Sequence, residues 1–509
     1  MAYIIGIDVG TSGTKTVLFD EYGGIIAGAL REYQLYQPNI GWAEQDPEDW
    51  WEATYLTVSE VISKSGISPD EVKAVGLSGQ MHGAVLLDEN NNVLRKAIIW
   101  CDQRTSLECE QITDLVGSKR LVEITANPAL TGFTASKIMW VKNNEPHIFE
   151  KIKKILLPKD YIRYKLTGEY ATEVSDASGM QLMNVPARTW SCEVLERLGI
   201  EKEWLGKLYE SQEISGEITK NAARLTGLRE GTPVAGGGGD QAAGAIGNGI
   251  VKKGVISSTI GTSGVVFAYT DRVTIDPMGR VHTFCHAIPD TWHVMGVTQG
   301  AGLSLKWFRD NFCIEEMRTA ELMKIDPYVL IDQEAENVLP GSGGLLYLPY
   351  LMGERTPHLD PDARGVFFGL SAKHEKPYMI RAIMEGVVFS LKDCLDIMVN
   401  MGVEAKEIRA SGGGGKSRLW RQLQADIFGT DIFTINSSEG PAFGAALLAG
   451  TGAGIYSSIQ EACDTVIQVK SRQSPDMNNF SRYSELHKIY KSLYSSLKDN
   501  FKDLHRWVK

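Results

Sequence analysis

The sequence predicts an α/β protein built from two similar halves that face each other across a ligand-binding cleft. Residues 3–20 and 254–268 share one plan, two apolar strands joined by the tetrapeptide GTSG, at 10–13 and again at 261–264. The chain has 509 residues, too many for a single hydrophobic core, so several domains are expected. The repeated hairpins therefore indicate a duplicated fold with a central cleft, in which phosphate groups would lie between the halves.

A run of four glycines followed by an aspartate lies near the middle of the chain. Residues 231–247 contain Gly236 to Gly239, then Asp240, then small residues typical of a helix start. Glycine lacks a Cβ atom, so this backbone can adopt positive φ and approach a ligand closely. Asp240 has two interpretations: the N-cap of the next helix, or a carboxylate presented to a ligand. Its position just before the second hairpin favours the ligand.

The composition excludes several classes of protein. A formal net charge of −11 argues against broad nucleic-acid binding, although backbone amides and a bound cation can still hold an anionic ligand. The N-terminus is not a signal peptide, and no apolar run is long enough to cross a membrane. The seven cysteines show no CxxC spacing, which is typical of reduced thiols. We expect a cytoplasmic protein with no membrane partner.

Each GTSG turn offers backbone amides and hydroxyl groups that can surround a phosphate. Asp8 ends the first strand of the first hairpin, and Lys15 follows its turn. A polar hairpin tip with no ligand is the alternative for either turn alone. The recurrence of the motif favours phosphate binding.

A histidine lies on a second strand-end loop. Residues 72–78 predict a strand that runs into GQMHG, residues 79–83. His82 is either a satisfied polar residue or a ligand contact, because parallel sheets bind ligands at strand ends. Asp102 and Arg104 end another strand, at 97–104, and are interpreted as a structural ion pair.

Helices are expected elsewhere. Asp46 and Pro47 are typical of a helix start within residues 44–63, where Trp50 and Trp51 are expected to pack. Further helices are expected at residues 132–144, 296–312, 377–402 and 440–450, and in the charged segment from about residue 470.

The segment ASGGGGKS, residues 410–417, nearly matches the P-loop pattern. It lacks the first glycine, which Ala410 replaces. A strand–glycine turn–helix over residues 408–429 suits a helix N-terminus that faces a nucleotide. A true P-loop and a plain structural turn are the alternatives.

Five motifs occur in a characteristic order: DVGTSGTK (8–15), SGQMHG (78–83), GGGGDQAAGA (236–245), IGTSG (260–264) and SGGGGKS (411–417). Together they resemble the FGGY family of carbohydrate kinases over roughly residues 3–455. Residues 132–144 and 365–385 fit that family's two signature patterns, except that Tyr378 stands where a polar residue is usual.

The resemblance implies two actin-like (ribonuclease-H-like) domains, residues 1–246 holding sugar and residues 247–509 holding nucleotide. SGQMHG is similar to members that transfer the γ-phosphoryl group of ATP to O5 of D-xylulose. Asp240 is then the catalytic base, and Asp8 and Asp240 hold Mg²⁺.

The resemblance also implies binding residues. The sugar would contact Met81, His82 and Gln241 as well as Asp240. The phosphates would contact Gly10, Thr11, Ser12, Lys15, Gly261, Thr262 and Ser263, and the adenosine would lie on Gly412, Gly413, Gly414 and Gly415. A homodimer is also implied.

Two alternatives remain open at this point. One is a kinase of the same family for another ketose or polyol, such as ribulose, fuculose or glycerol. The other is an actin-like ATPase of the chaperone type, whose ATP consumption would not respond to sugar.

Overall fold

The structure, a computed structural model, describes residues 1–436 and 439–507. The strands of the first half are β1 (Tyr3–Val9), β2 (Gly13–Asp20), β3 (Ile25–Glu32), β4 (Glu44–Gln45), β5 (Val72–Gly79), β6 (Val85–Leu87), β7 (Ala97–Ile98), β8 (Lys154–Leu156), β9 (Ala171–Glu173), β10 (Met183–Asn184), β11 (Thr189–Trp190), β12 (Lys207–Tyr209), β13 (Ile214–Glu217), β14 (Pro233–Ala235) and β15 (Gly238–Gly239). Its helices are α1 (Pro47–Ser65), α2 (Ser106–Val116), α3 (Ser118–Thr125), α4 (Thr134–Asn144), α5 (Pro146–Phe149), α6 (Pro158–Thr167), α7 (Val174–Ala177), α8 (Cys192–Leu198), α9 (Lys220–Thr226) and α10 (Asp240–Gly247).

The strands of the second half are β16 (Val255–Ile260), β17 (Gly264–Thr270), β18 (His282–Cys285), β19 (Trp292–Thr298), β20 (Leu346–Leu348), β21 (Val366–Phe368), β22 (Glu407–Ser411), β23 (Ile432–Ile435) and β24 (Val469–Gln473). Its helices are α11 (Ala301–Phe312), α12 (Ile314–Met323), α13 (Pro327–Glu336), α14 (Lys376–Asn400), α15 (Gly412–Lys416), α16 (Arg418–Phe428), α17 (Gly440–Gly452), α18 (Ile459–Val466) and α19 (Met477–His505). Short 3₁₀ helices lie at Pro69–Glu71, Ser178–Met180, Lys202–Trp204 and Ser342–Gly344.

Two sheets with the same plan form the two lobes. In the N-terminal lobe the strand order is β13-β14-β5-β1-β2-β3, and β15 also pairs with β5. In the C-terminal lobe the order is β18-β19-β17-β16-β22-β23-β24. In each sheet a GTSG hairpin forms the centre, and its first strand pairs in parallel with a strand that comes later in the chain, β1 with β5 and β16 with β22. The structure confirms the predicted duplicated α/β fold.

Helices α10 and α17 pack against each other between the lobes, and small residues make this possible. A Cβ atom on Gly444 of α17 would overlap the carbonyl group of Ala243 in α10. A Cβ atom on Gly76 of β5 would likewise overlap the carbonyl group of Ala445 in α17. Helix α17 therefore lies against the N-terminal sheet and α10.

Three other local predictions need correction. Residues 292–298 form strand β19, and helix α11 begins only at Ala301, so the helix predicted over 296–312 is too long. Strand β19 pairs with β17 and β18, so tertiary pairing decides its conformation. The segment after residue 470 starts within strand β24 before it becomes helical, and the strand predicted at 97–104 is only Ala97–Ile98.

Other predictions are confirmed. Asp46 caps α1 by accepting a hydrogen bond from the backbone N–H of Glu48, and Trp50 is fully buried. All seven cysteines are free thiols. Among the described helices, none is both long and apolar enough to span a membrane.

Candidate active site

Two aspartates meet at one edge of the N-terminal sheet. Asp8 of β1 is paired in parallel with Ser78 of β5, and Ser78 is paired on its other side with Gly238 of β15. Asp240 follows this short strand and is the first residue of α10. The carboxyl ends of three parallel strands thus present Asp8 and Asp240 to the cleft.

Burial shapes the electrostatics of this pair. Burial, and after it the charge of Asp8, raises the pKa of Asp240 to about 7, against opposing hydrogen bonds from Gln241. Burial also raises the pKa of Asp8 to about 6, which Ser78 and Lys15 partly oppose. Within the described residues, Asp8 Oδ1 and Ser78 Oγ are buried; the Ser78 hydroxyl is near enough to lower the pKa of Asp8, but neither atom forms a hydrogen bond of ordinary geometry.

This pair fits a divalent cation. Mg²⁺ prefers oxygen ligands and is commonly held by one or two carboxylates together with substrate phosphates. A buried carboxylate oxygen without a hydrogen-bond partner, beside a second carboxylate, offers the oxygen ligands that such an ion would bind.

The loop after β5 fixes the tautomer of His82. Its Nδ1 lies 2.8 Å from the carbonyl oxygen of Gly179, so Nδ1 donates and Nε2 is left as an acceptor. Burial, and after it the charge of Lys137, lowers the pKa of His82 to about 3, so the ring is neutral. The residue has a φ of 69°, unusual for a side chain of this size.

A buried lysine holds this loop in place. Lys137 Nζ of α4 donates to the carbonyl oxygen of His82 at 2.7 Å and to that of Gly132 at 2.6 Å. Its ammonium group is fully buried, and burial lowers its pKa to about 7. The family signature at 132–144 contains this lysine, but its role became visible only in the structure.

Two glycines allow this loop to approach Asp240. A Cβ atom on Gly239 would lie 2.9 Å from Cγ of Met81, and one on Gly179 would lie 2.5 Å from the ring of His82. Met81 is buried, and it therefore packs directly against the residue before Asp240. Met81 and His82 thus lie in a loop that packs against Gly239, the residue before Asp240 and Gln241.

The first GTSG turn is braced by side chains. Gly10 N–H donates to the Gly13 carbonyl at 3.1 Å, Trp100 Nε1 donates to the Thr11 hydroxyl at 2.8 Å, and Gln45 Nε2 donates to the Thr11 carbonyl at 2.7 Å. Ser12 is exposed at the tip. Lys15 forms an ion pair with Glu439 of the C-terminal lobe and is therefore already engaged.

The second GTSG turn is braced by a helix start. Gly261 N–H donates to the Ser263 carbonyl at 3.0 Å. From α11, Gly302 N–H donates to the Gly261 carbonyl at 2.9 Å, and Leu303 N–H donates to the Thr262 carbonyl at 3.1 Å. Gly261 and Thr262 are exposed; because the Gly261 amide is already engaged, Thr262 is the residue whose hydroxyl and amide groups remain accessible.

The glycine run after β22 lies beside this second turn. Gly412 has a φ of 69° and bridges to Ile260, and Gly412 and Gly413 are exposed. Gly414 and Gly415 are buried, and they pack so closely that a Cβ atom would crowd Ile260 at Gly414 and Ala410 at Gly415. Only the first two glycines therefore present their backbone to solvent.

This segment does not have the geometry of a P-loop. Gly412–Lys416 is itself a helical turn, and Ser417 caps the next helix by accepting from the Trp420 N–H at 3.2 Å. In a P-loop the corresponding hydroxyl is a metal ligand.

Two charged groups near the site lie outside the predicted set. Lys159 Nζ is fully buried, 2.7 Å from Asp160 and 3.5 Å from Asp176. Burial raises the pKa of Asp176 well above its usual range, and Asp240 is among the charges that add to this. Arg355 belongs to the loop between β20 and β21 of the opposite lobe. Lys159 lies in LLPKDY, residues 156–161, and Arg355 in GERTP, residues 353–357, and the sequence motifs described above include neither stretch.

The predicted Asp102–Arg104 ion pair is structural. Asp102 Oδ2 accepts from Arg104 Nη2 at 2.7 Å and from the Ala43 N–H at 2.6 Å, and both side chains are buried.

Two lobes of one plan, with acidic residues and amide-rich turns at the cleft, define the class of two-domain actin-like phosphotransferases. Comparison with known proteins narrows this class. Residues 3–247 match the N-terminal domain, and residues 256–453 the C-terminal domain, of the FGGY family of carbohydrate kinases. The chain belongs to this family.

Individual relatives are similar along the whole chain. A xylulose kinase of Bacillus subtilis (strain 168) is 40% identical over 499 residues, 98% of both chains. A gluconokinase of Bacillus licheniformis is 34% identical over 100% of this chain and 98% of its own. The ligand-bound xylulose kinase structure from Lactobacillus acidophilus superposes with a TM-score of 0.92 at 28% identity, covering 99% of this chain and 100% of that one.

Proposed function

We propose that this carbohydrate kinase transfers the γ-phosphoryl group of ATP to O5 of D-xylulose, giving D-xylulose 5-phosphate and ADP. The observation that carries the proposal is the convergence of Asp8, Asp240 and the Met81–His82 loop at the strand ends of one lobe. The full-length similarity to proteins named xylulose kinase supports the choice of sugar.

Asp240 is proposed as the catalytic base. Phosphoryl transfer has a loose transition state, so positioning and charge neutralisation contribute most and the proton leaves late. A carboxylate whose pKa burial raises to about 7 is a stronger proton acceptor than an ordinary aspartate. Asp8 and Asp240 would hold Mg²⁺, which when bound neutralises charge on the phosphates.

The sugar is proposed to lie against the N-terminal lobe, residues 1–246. Nε2 of His82 is a fixed acceptor because Nδ1 donates to Gly179, so it suits a sugar hydroxyl proton. Met81 would pack on the carbon chain, and Gln241 would contact a hydroxyl group near the transferred one.

ATP is proposed to lie against the C-terminal lobe, residues 247–509, with its phosphates between the two turns. Phosphate contacts would come from the two turns, Gly10, Thr11 and Ser12 in the first and Gly261, Thr262 and Ser263 in the second, and from Lys15 once it leaves Glu439. The exposed backbone of Gly412 and Gly413 would face the adenosine, with Gly414 and Gly415 forming the support behind it.

The test is ADP release with Mg-ATP across a panel of D-xylulose, D-ribulose, L-ribulose, glycerol, D-fructose and D-gluconate. We expect D-xylulose to give the highest kcat/KM. The relative from Bacillus licheniformis is named for gluconate. If D-gluconate gives the highest kcat/KM, the family assignment stands and the proposed sugar is wrong. ADP release that no acceptor stimulates would refute sugar phosphorylation and favour an ATPase of the chaperone type.

A further inference from the structure

A buried carboxylate lies behind the glycine run that precedes Asp240. Glu173, the last residue of β9, is fully buried. A Cβ atom on Gly236 would lie 3.3 Å from Cβ of Glu173, so this side chain starts directly beside the first glycine of the run. The proposed phosphoryl transfer does not use this carboxylate, so its place behind the base needs an explanation of its own.

Both oxygens of Glu173 are engaged by donors. Oε2 accepts from the Ser175 N–H at 2.7 Å and from the Ser211 hydroxyl at 2.8 Å. Oε1 accepts from the Asp176 N–H at 2.8 Å and from the Ser175 hydroxyl at 2.9 Å. The ammonium group of Lys159, which is also fully buried, lies 3.6 Å from Oε1. This set of donors with a neighbouring cation suits a charged carboxylate that is held in one orientation.

Two of these donors connect Glu173 to the glycine run. The Ser175 hydroxyl donates to Glu173 and accepts the N–H of Gly239 at 3.1 Å. The Ser211 hydroxyl donates to Glu173, and the Ser211 carbonyl accepts the N–H of Gly237 at 2.8 Å. Because Gly239 is the residue before the proposed base, the backbone that presents the base is tied to Glu173 through two serines.

The glycine run depends on such support because it has no side chains of its own. Gly237 has a φ of 73°, in the left-handed region that favours glycine. Strand β15, Gly238–Gly239, has only two residues and pairs with the end of β5. Removing the Ser175 hydroxyl would leave the buried N–H of Gly239 without this acceptor, so the backbone before the base would shift to find another.

The segment that begins at Glu173 also holds the sugar loop. Glu173 caps the short helix α7 by accepting from two of its first N–H groups. The carbonyl of Gly179, in the 3₁₀ turn that follows α7, accepts from Nδ1 of His82 at 2.8 Å. One buried segment, residues 173–179, therefore supports both the base and the histidine of the sugar loop.

We propose that Glu173 is a positioning residue for Asp240. It acts through Ser175 and Ser211, which set the backbone of residues 237–239 and with it the position of the carboxylate. This rests on the proposed function, in which Asp240 accepts the proton of the sugar hydroxyl. Phosphoryl transfer depends mainly on positioning, and a displacement of about 1 Å can lower a rate about 100-fold. Loss of the network should therefore lower kcat more than it weakens the binding of ATP.

The test compares ADP release by wild type, Ser175→Ala, Glu173→Gln and Glu173→Asp. The matched control is Ser191→Ala, because this buried hydroxyl also accepts one backbone N–H, that of Val194 at 3.2 Å, but at the start of α8 and not in the glycine run. We expect Ser175→Ala and Glu173→Gln to lower kcat about 10- to 100-fold, with the ATP KM within about twofold. Ser191→Ala should keep kcat within about twofold, and Glu173→Asp, which retains a capping carboxylate, should recover part of the loss. Thermal unfolding of each variant separates loss of folded protein from loss of turnover.

A double variant separates positioning of the base from a general loss of structure. Ser175→Ala is combined with Asp240→Asn, which removes the base. If Ser175 acts through Asp240, the added change should lower the kcat of Asp240→Asn less than about threefold, because no base is left to position. An equal fall in both backgrounds would overturn the proposal. A kcat of Ser175→Ala or Glu173→Gln equal to that of Ser191→Ala would also overturn it.

Failure of the proposed function would have a different signature. A preference for another acceptor refutes the sugar assignment alone, and the same comparison with that acceptor decides the role of Glu173. If Asp240→Asn alone keeps the kcat of wild type, Asp240 is not the base, and the proposed role of Glu173 is wrong with it. If Asp240→Asn loses turnover while the Ser175 and Glu173 variants match Ser191→Ala, the proposed function stands and only the role of Glu173 is wrong.

Discussion

The two GTSG hairpins have the same backbone plan and differ in the residue two positions before the turn. The N-terminal lobe has Asp8 there, paired with Ser78, and the C-terminal lobe has Thr259, paired with Ser411. The hydroxyls of Thr259 and Ser411 hydrogen-bond to each other at 2.7 Å, whereas Asp8 Oδ1 has no partner among the described residues. The C-terminal pair is thus neutral, with its hydroxyls hydrogen-bonded to each other. The N-terminal pair is acidic, and a carboxylate oxygen of it is left for a ligand. One substitution within a duplicated plan is enough to place the charge needed for chemistry in a single lobe.

Making the first hairpin resemble the second should have the largest effect. Asp8→Thr replaces the open carboxylate with a hydroxyl that can hydrogen-bond Ser78. We expect kcat/KM for D-xylulose to fall about 10³-fold, about 4 kcal/mol, because the charge beside Asp240 is lost. Steady-state ADP release measures this. A loss of less than about tenfold would mean that the two lobes are not chemically different at this position.

The next largest effect concerns the Met81–His82 loop after β5; the corresponding strand of the C-terminal lobe, β22, is followed by the helical turn Gly412–Lys416 instead. In Lys137→Met the carbonyls of His82 and Gly132 lose a charged donor, so the loop should move. We expect the sugar KM to rise about 10- to 100-fold with little change in the ATP KM. Lys142→Met, in the same helix but bonded to the distant Leu198 carbonyl, is the control. Equal effects of the two variants on the sugar KM would show that Lys137 does not hold the sugar-binding loop in place.

Three of the buried histidines of the C-terminal lobe lie between residues 282 and 293, His282, His286 and His293, and burial lowers the pKa of each. For His286 the folded pKa is about 3 and the unfolded value about 6.5, so its stabilisation is complete above pH 6.5 and is lost as the pH falls toward 3. His286→Gln keeps a donor for the Ile250 carbonyl and cannot titrate. We expect the variant to lose about 1 kcal/mol less unfolding free energy than wild type between pH 7.5 and 5.5. Urea unfolding at both pH values measures this. Equal losses of unfolding free energy in wild type and variant would show that His286 does not cause the pH dependence.

The smallest effect is expected at the neutral counterpart of Asp8. Thr259→Val removes one hydroxyl of the Thr259–Ser411 pair, which should cost about 1 kcal/mol of stability and change kcat less than about threefold. Thermal unfolding and ADP release check the two parts. A large fall in kcat would show that the second hairpin contributes more than a neutral contact.

The sequence was informative where function depends on local motifs. The GTSG turns, Asp8, and Asp240 on its glycine turn are recognisable because each requires particular residue types in a short segment. The structure brings Asp8 and Asp240 together through parallel pairing of β1, β5 and β15, which follows from the duplicated plan.

What could not be predicted depends on distant contacts. The last three residues of β19, 296–298, fall within the helix that the sequence predicts at 296–312, because the pairing of β19 with β17 and β18 leaves little trace in its own residues. The contacts of Lys137 with the carbonyls of His82 and Gly132 are recognisable only when these segments have been brought together in the fold. The fit of Gly179 and Gly239 to the Met81–His82 loop likewise depends on residues far apart in the chain.

Asp240 is the residue on which the proposed chemistry depends most. The decisive measurement pairs D-xylulose binding, by titration calorimetry, with ADP release in wild type and Asp240→Asn, a variant of nearly the same shape. We predict sugar binding within about tenfold of wild type and a kcat lowered about 10²- to 10⁴-fold, because the variant loses a base and keeps a polar contact. A kcat close to that of wild type would contradict the role of Asp240 as base, and a loss of binding large enough to account for the lost turnover would make it a binding residue only.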